Sequence, residues 1–192
     1  MEQNIDTSLL DRAIVFAVNA HKGVERKGKG FPYIVHSLEA VSIVATMSSD
    51  QELLAAAVLH DVIEDTPTTF EDLKQEFGER VARLVEAESD KAVKGPDAET
   101  WRQRKLDSLN RLRSADRDVK IVTIGDKLSN MRAIARDYQA VGDELWKRFT
   151  ISNPAEHAWR YRALAEALSD LADTEAYKEF CILIDKTFGD IS

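Results

Sequence analysis

Leu54-Ala55-Ala56-Ala57-Val58-Leu59-His60-Asp61-Val62-Ile63-Glu64-Asp65-Thr66 carries an apolar, helix-forming segment straight into His60, Asp61, Glu64 and Asp65. A buried helix has no structural use for an imidazole and three carboxylates packed so closely. Unpaired carboxylates in a low-dielectric site are costly, so a compensating cation is expected, and a metal ion fits best. Adjacent histidine and aspartate can turn an imidazole nitrogen and a carboxylate oxygen toward one ion. Glu64 and Asp65 follow about one helical turn later, within reach of the same point. The segment reads as a hydrolytic metal centre with a second carboxylate pair available for proton transfer. A carboxylate pair at a helix C-terminus opposes the macrodipole, which again asks for a nearby cation.

Two donors are too few for a hydrolytic metal, so others must come from elsewhere in the chain. The histidines are His21, His36, His60 and His157. His36 stands at a helix entrance in Phe31-Pro32-Tyr33-Ile34-Val35-His36. Asp126 lies in the apolar run Ile124-Gly125-Asp126-Lys127-Leu128. On a helix, Lys127 points about 100° away from it, so Asp126 needs another partner. His36, His60, Asp61 and Asp126 would offer two neutral and two anionic donors, enough to neutralise a divalent ion. Mixed imidazole and carboxylate ligation with open positions suits Mn, Fe or Zn. His21 reads as structural. His157, outside every motif, reads as a partly exposed histidine.

Net charge is −8, which argues against broad nucleic-acid binding. Lys22-Gly23-Val24-Glu25-Arg26-Lys27-Gly28-Lys29-Gly30 is nevertheless a basic island. Its glycines make it a loop, and a cationic loop beside a metal centre suits phosphate groups. A solvated, flexible loop is the plainer alternative. The 192 residues are enough for one ample core, so a single domain over 1–192 is expected. Apolar content is 44% and charged content 31%, as in soluble globular proteins. No stretch approaches the roughly 20 apolar residues that span a bilayer, and the first residues lack signal-peptide character. The single cysteine, Cys181, excludes an internal disulfide framework. Cytoplasmic residence is the simplest setting, with no membrane and no nucleic-acid partner.

Helical signals dominate, so the fold class is all-α. Asp6 or Thr7 is expected to cap a first helix running to about His21, and a second spans Val35 to Met47. Ser49 or Asp50 caps the third, which carries His60-Asp61 and is stopped by Pro67. Thr68 with Glu71 fits a capping box for a fourth helix ending near Gly78. Glu79 to Glu88 is the fifth. Ser89 to Glu99 reads as a loop or lid. Trp101 to Arg113 and Asp118 to Ala140 follow as helices, although Val119 to Ile124 has strand propensity. Gly125 costs about 1 kcal/mol inside a helix, so it marks close packing or room for a ligand. Pro154 opens a helix from Ala155 to Ala172, and Glu175 to Phe188 closes the chain. The stripe of Trp159, Tyr161, Leu164, Leu168 and Leu171 reads as core packing, with homodimerisation as the alternative.

Taken together, these segments resemble the HD-type hydrolase domain of RelA/SpoT proteins, in the short stand-alone form of the small alarmone hydrolases. The resemblance rests on Ala20-His21-Lys22-Gly23, Arg26-Lys27, Pro32-Tyr33 with His36, and Leu59 to Thr66. Phe77-Gly78-Glu79-Arg80-Val81-Ala82 and Gly125-Asp126-Lys127-Leu128-Ser129-Asn130-Met131-Arg132 complete it. It spans roughly Leu9 to Arg136, with the C-terminal helices of 154–188 packing on that core. It implies an HD helical bundle that binds manganese through His36, His60, Asp61 and Asp126. Glu64 and Asp65 match the pair that positions and activates the attacking water. Arg26 and Lys27 match residues near the nucleotide, the arginine on its base, and Lys127 and Asn130 match phosphate or sugar contacts. The implied reaction removes the 3′-pyrophosphate of ppGpp or pppGpp, leaving GDP or GTP. Thr123 stands where the family commonly has lysine, Ser129 where it has His or Tyr, and Val24-Glu25 replaces a glutamine-containing step. Base identity and phosphate number therefore stay open. An adenine alarmone (ppApp), another 3′-phosphorylated nucleotide, or a non-catalytic nucleotide-sensing module are the alternatives.

Overall fold

The structure is a computed structural model that describes residues 5–89 and 98–191. Among the described residues every extended regular element is helical, and the one β-bridge joins Glu25 to Pro32. None of these helices is long and apolar enough to cross a membrane. The chain divides into two compact units. One takes the residues up to Ser89 together with Ile121–Asp126, and the other takes the remainder.

The first unit contains α1 (Ser8–Ala20), α2 (Ile34–Val44), α3 (Gln51–Leu59), α4 (Val62–Asp65), α5 (Phe70–Phe77) and α6 (Glu79–Glu88). Its centre is α3, in which every residue from Leu53 to Leu59 is buried. A helix apolar on all sides must be covered on all sides, and α1, α2 and α6 pack around it. Asp50 caps it by accepting the Glu52 backbone N–H at 2.9 Å. The sequence placed His60 and Asp61 on this helix, but α3 stops at Leu59 and the two residues form a turn before α4. His60 Nδ1–H donates to the Ala57 carbonyl at 2.8 Å, so a side chain satisfies one of the terminal carbonyls of α3. The capping box of α5 also sits one residue later than expected, on Thr69 and Asp72. Thr68 is engaged elsewhere: its hydroxyl accepts from the Thr66 hydroxyl at 2.8 Å, and its N–H donates to the same oxygen at 3.1 Å.

α8 (Arg117–Val141) contributes to both units. The strand-prone stretch from Val119 to Ile124 is helical. Asp116 caps it at 3.0 Å, and residues 120–126 are all buried, so tertiary packing overrides the β-branched preference. Gly125 is where α8 meets α2. A Cβ there would lie 2.7 Å from Val44 Cγ2 and 3.0 Å from the Ala40 carbonyl oxygen. Gly125→Ala gains about 1 kcal/mol of helix propensity and meets a backbone atom that cannot yield, which costs about 1–3 kcal/mol. The clash should win, so chemical denaturation is expected to show a destabilised variant.

The second unit holds α7 (Ala98–Arg113), α9 (Pro154–Ala167), α10 (Glu175–Phe188), 3-10 turns at Gly142–Arg148 and Ser169–Leu171, and the flanks of α8. The expected loop from Ser89 to Glu99 falls mostly outside the described residues, while Ala98 and Glu99 already belong to α7. The helix expected to reach Ala172 ends at Ala167, and the 3-10 turn takes up Leu171. Asn153 caps α9 ahead of Pro154, and Thr174 caps α10. Tyr161, Leu164, Leu168 and Leu171 are buried. Lys120 is buried as well, paired with Asp170.

His157 corrects the sequence reading, because it is buried rather than partly exposed. It stacks on Trp146 at 5.2 Å and donates Nε2–H to the Ile151 carbonyl at 2.7 Å. Burial holds its pKa below the ordinary value, against the weaker upward pull of that carbonyl. The folded chain therefore keeps His157 neutral where the unfolded chain binds a proton. Its contribution to stability is present above the unfolded value near 6.5 and is lost as pH falls from there through the lower folded value. Thermal melts from about pH 8 to about pH 5.5 should show a shallower decline for His157→Phe than for wild type.

Candidate metal centre

Three local structures bring the donors of the first unit together. The basic segment folds back on itself, with Arg26 N–H donating to the Phe31 carbonyl and Tyr33 N–H to the Val24 carbonyl, both at 2.9 Å. Gly23, Gly28 and Gly30 all adopt positive φ along it. Glu25 accepts the Gly30 N–H at 2.9 Å, so the segment is an ordered hairpin-like loop that delivers Tyr33 to the start of α2. His36 lies in the first turn of α2. The turn between α3 and α4 supplies His60 and Asp61. The close approach at Gly125 sets Asp126 beside α2, four residues along which Ala40 follows His36.

The ligand atoms of His36, His60, Asp61 and Asp126 all lie within 4.8 Å of one another. His60 Nε2 is 2.7 Å from Asp61 Oδ2 and 3.2 Å from His36 Nε2, and His36 Nε2 is 3.1 Å from Asp126 Oδ1. The two imidazoles and Asp126 are buried, while the Asp61 side chain is 22% exposed. Because a carbonyl only accepts, the bond to Ala57 fixes the proton of neutral His60 on Nδ1 and leaves the Nε2 lone pair facing the cluster. Burial alone would keep His60 neutral, yet the Asp61 and Asp126 carboxylates outweigh it and push its pKa well up. Burial likewise works against ionised Asp61, but His60 pulls it down to about 2. His36 is lowered, chiefly by burial. The electrostatics that draw a proton onto His60 would equally draw a cation, and this donor set fits a divalent ion.

Asp65 lies within electrostatic range of Asp61 and His60, and desolvation followed by the Asp61 charge raises its pKa. Glu64 precedes it on α4 and is exposed. Arg26 holds its guanidinium 5.2 Å from the centre of the Tyr33 ring, and Lys27 is exposed next to it. Lys127 and Asn130 fall in the second unit, one and four residues after Asp126 on α8. Asn130 is thus about one turn along from Asp126, while Lys127 is rotated by about 100°.

Sequence reading missed Tyr33. It is buried, and its hydroxyl donates to Asp61 Oδ2. Burial, then the Asp61 charge, pushes its pKa up, so the phenol keeps the proton it donates. Its ring lies 4.6 Å from His21 and 5.6 Å from His36, edge-on to the latter. The available signal was the spacing of Tyr33 and His36, three apart at a helix entrance, which puts both on one face.

The chain belongs to the HD domain family, whose profile matches residues 13–150. It is 39% identical over 131 residues to the bifunctional (p)ppGpp synthase/hydrolase SpoT of Escherichia coli K12, a match covering 65% of this chain and 18% of that protein. It is 36% identical over 128 residues to the guanosine-3′,5′-bis(diphosphate) 3′-pyrophosphohydrolase of Aquifex aeolicus, with the same coverage of 65% and 18%. The chain thus matches only about a fifth of the length of these curated relatives. Among solved structures, the fold is similar to one described as a metazoan ortholog of SpoT that hydrolyzes ppGpp. That likeness has a TM-score of 0.74 at 22% identity and covers 98% of both chains. The Listeria monocytogenes protein lmo0812 is also similar, with a TM-score of 0.71 at 22% identity, covering 80% of this chain and 99% of that one. The all-α HD architecture and the RelA/SpoT resemblance expected from the motifs agree with these findings.

Proposed function

We propose that this chain is a metal-dependent phosphohydrolase that removes the 3′-pyrophosphate of ppGpp or pppGpp. A water oxygen adds to the phosphorus attached to the ribose 3′ oxygen. The bond between those two atoms breaks, the 3′ oxygen takes a proton, and pyrophosphate leaves with GDP or GTP. The observation that carries this reading is the convergence of two imidazoles and two carboxylates within 4.8 Å, in an HD-family chain akin to SpoT. His36, His60, Asp61 and Asp126 would hold one divalent cation, for which we take manganese. When bound, such an ion supplies Lewis acidity toward a phosphoryl oxygen and favours ionised water.

Glu64 and Asp65 supply the base chemistry in this reading. The raised pKa of Asp65 suits a carboxylate that takes a proton, and Glu64, exposed on α4, would orient the attacking water. Arg26 and Lys27 project cationic groups from the hairpin-like loop, and the Tyr33 ring pre-positions the Arg26 guanidinium for a base or diphosphate. Lys127 and Asn130 would contact phosphate or sugar from α8. Action as one domain in the cytoplasm belongs to the same proposal. The test is a panel of ppGpp, pppGpp, ppApp and 3′-phosphorylated nucleosides with manganese, assayed for pyrophosphate and orthophosphate. Pyrophosphate from the guanosine alarmones is expected. Orthophosphate release, preference for ppApp, or binding without turnover would overturn it.

A further inference from the structure

Asp61 differs from the other three donors of the centre. His36, His60 and Asp126 have side chains only 3%, 1% and 6% exposed, whereas Asp61 is 22% exposed. His36 and Asp126 stand on helices, while Asp61 stands in the turn between α3 and α4. It is therefore the donor with the most freedom to swing, and fixing it needs a brace from outside the cluster. That brace is the Tyr33 hydroxyl, donating to the same Oδ2 that lies 2.7 Å from His60 Nε2.

Tyr33 is itself held by His21, the imidazole centred 4.6 Å from its ring and inclined by 33°. His21 is only 4% exposed, and among the described residues neither of its ring nitrogens has a hydrogen-bond partner. The contact that His21 makes with Tyr33 runs through the imidazole ring, inclined to the phenol, and not through a ring nitrogen. What it offers Tyr33 is a flat face. We infer that His21 and Tyr33 form a positioning pair for the centre, in which the His21 face fixes the Tyr33 ring and the Tyr33 hydroxyl fixes the Asp61 carboxylate. The inference rests on the reading of His36, His60, Asp61 and Asp126 as metal ligands. Partners that orient metal-binding carboxylates set affinity through geometry without touching the ion.

The experiment is calorimetric titration of manganese into chelator-treated full chain, with folding checked by circular dichroism. Tyr33→Phe keeps the ring and removes only the hydroxyl, and should weaken manganese binding by about 10–100-fold. His21→Ala removes the face and should weaken it within the same range. The double variant should bind no more weakly than Tyr33→Phe, because both changes break one chain of contacts. His21→Phe restores a face and should bind close to wild type. Wild-type affinity in Tyr33→Phe, multiplying losses in the double variant, or equal losses in His21→Phe and His21→Ala would overturn the pair. If wild type itself fails to bind manganese, the metal reading falls and the pair with it. If wild type binds and Tyr33→Phe binds equally, only the pair falls.

Discussion

Asp126→Asn is expected to lose divalent-cation binding and to slow pyrophosphate release by about a thousandfold, while the helical content stays intact. The amide has almost the same volume as the carboxylate, so packing against α2 at Gly125 is preserved. What disappears is one of two anionic donors, a buried oxygen 3.1 Å from His36 Nε2 and 3.6 Å from His60 Nε2. Lewis-acid stabilisation of phosphoryl chemistry is worth several kcal/mol, and each about 1.4 kcal/mol is a factor of ten in rate. Manganese titration, a turnover assay and far-ultraviolet circular dichroism on the same preparation separate loss of the ion from loss of the fold. Near-normal turnover in Asp126→Asn would remove Asp126 from the centre.

Glu64→Gln carries the second large effect and should behave differently. It changes an exposed residue on α4, outside the four-donor cluster, so manganese and nucleotide affinity should be retained. Turnover should fall by about 10²–10⁴, the usual contribution of a positioned acid or base. The kinetic signature is a lowered kcat with little change in KM. Asp65→Asn is the companion variant. The raised pKa of Asp65 places its proton uptake closer to neutrality than that of an ordinary aspartate, so its loss should also alter the acidic limb of the pH–rate profile. Equal turnover in wild type and Glu64→Gln would take Glu64 out of the mechanism.

How much of this was legible in the sequence follows from where each residue sits. Carboxylates and imidazoles in apolar runs are conspicuous because burial penalises them, which is why His60, Asp61 and Asp126 stand out. Gly125 stood out through its cost inside a helix, which pointed to close packing or room for a ligand, and the approach to Val44 and Ala40 decides for packing. The turn at His60-Asp61 was not legible, because it depends on a ring nitrogen finding the Ala57 carbonyl. The position of the α5 capping box depended on Thr66 engaging Thr68, a contact between neighbouring hydroxyls that spacing does not reveal. Tyr33 entered only as part of the Pro32-Tyr33 motif, because its spacing from His36 gives a shared face but not the Asp61 oxygen that its hydroxyl finds. His157 read as a partly exposed histidine because nothing in its own segment shows that the ring of Trp146 stacks on it.

Two imidazoles and two aspartates are expected to hold one divalent ion on which hydrolysis depends. The most direct measurement is pyrophosphate release from ppGpp by chelator-stripped chain, before and after manganese is returned. Turnover should vanish on stripping and recover as manganese saturates a single site. Undiminished turnover by the stripped chain would contradict that dependence.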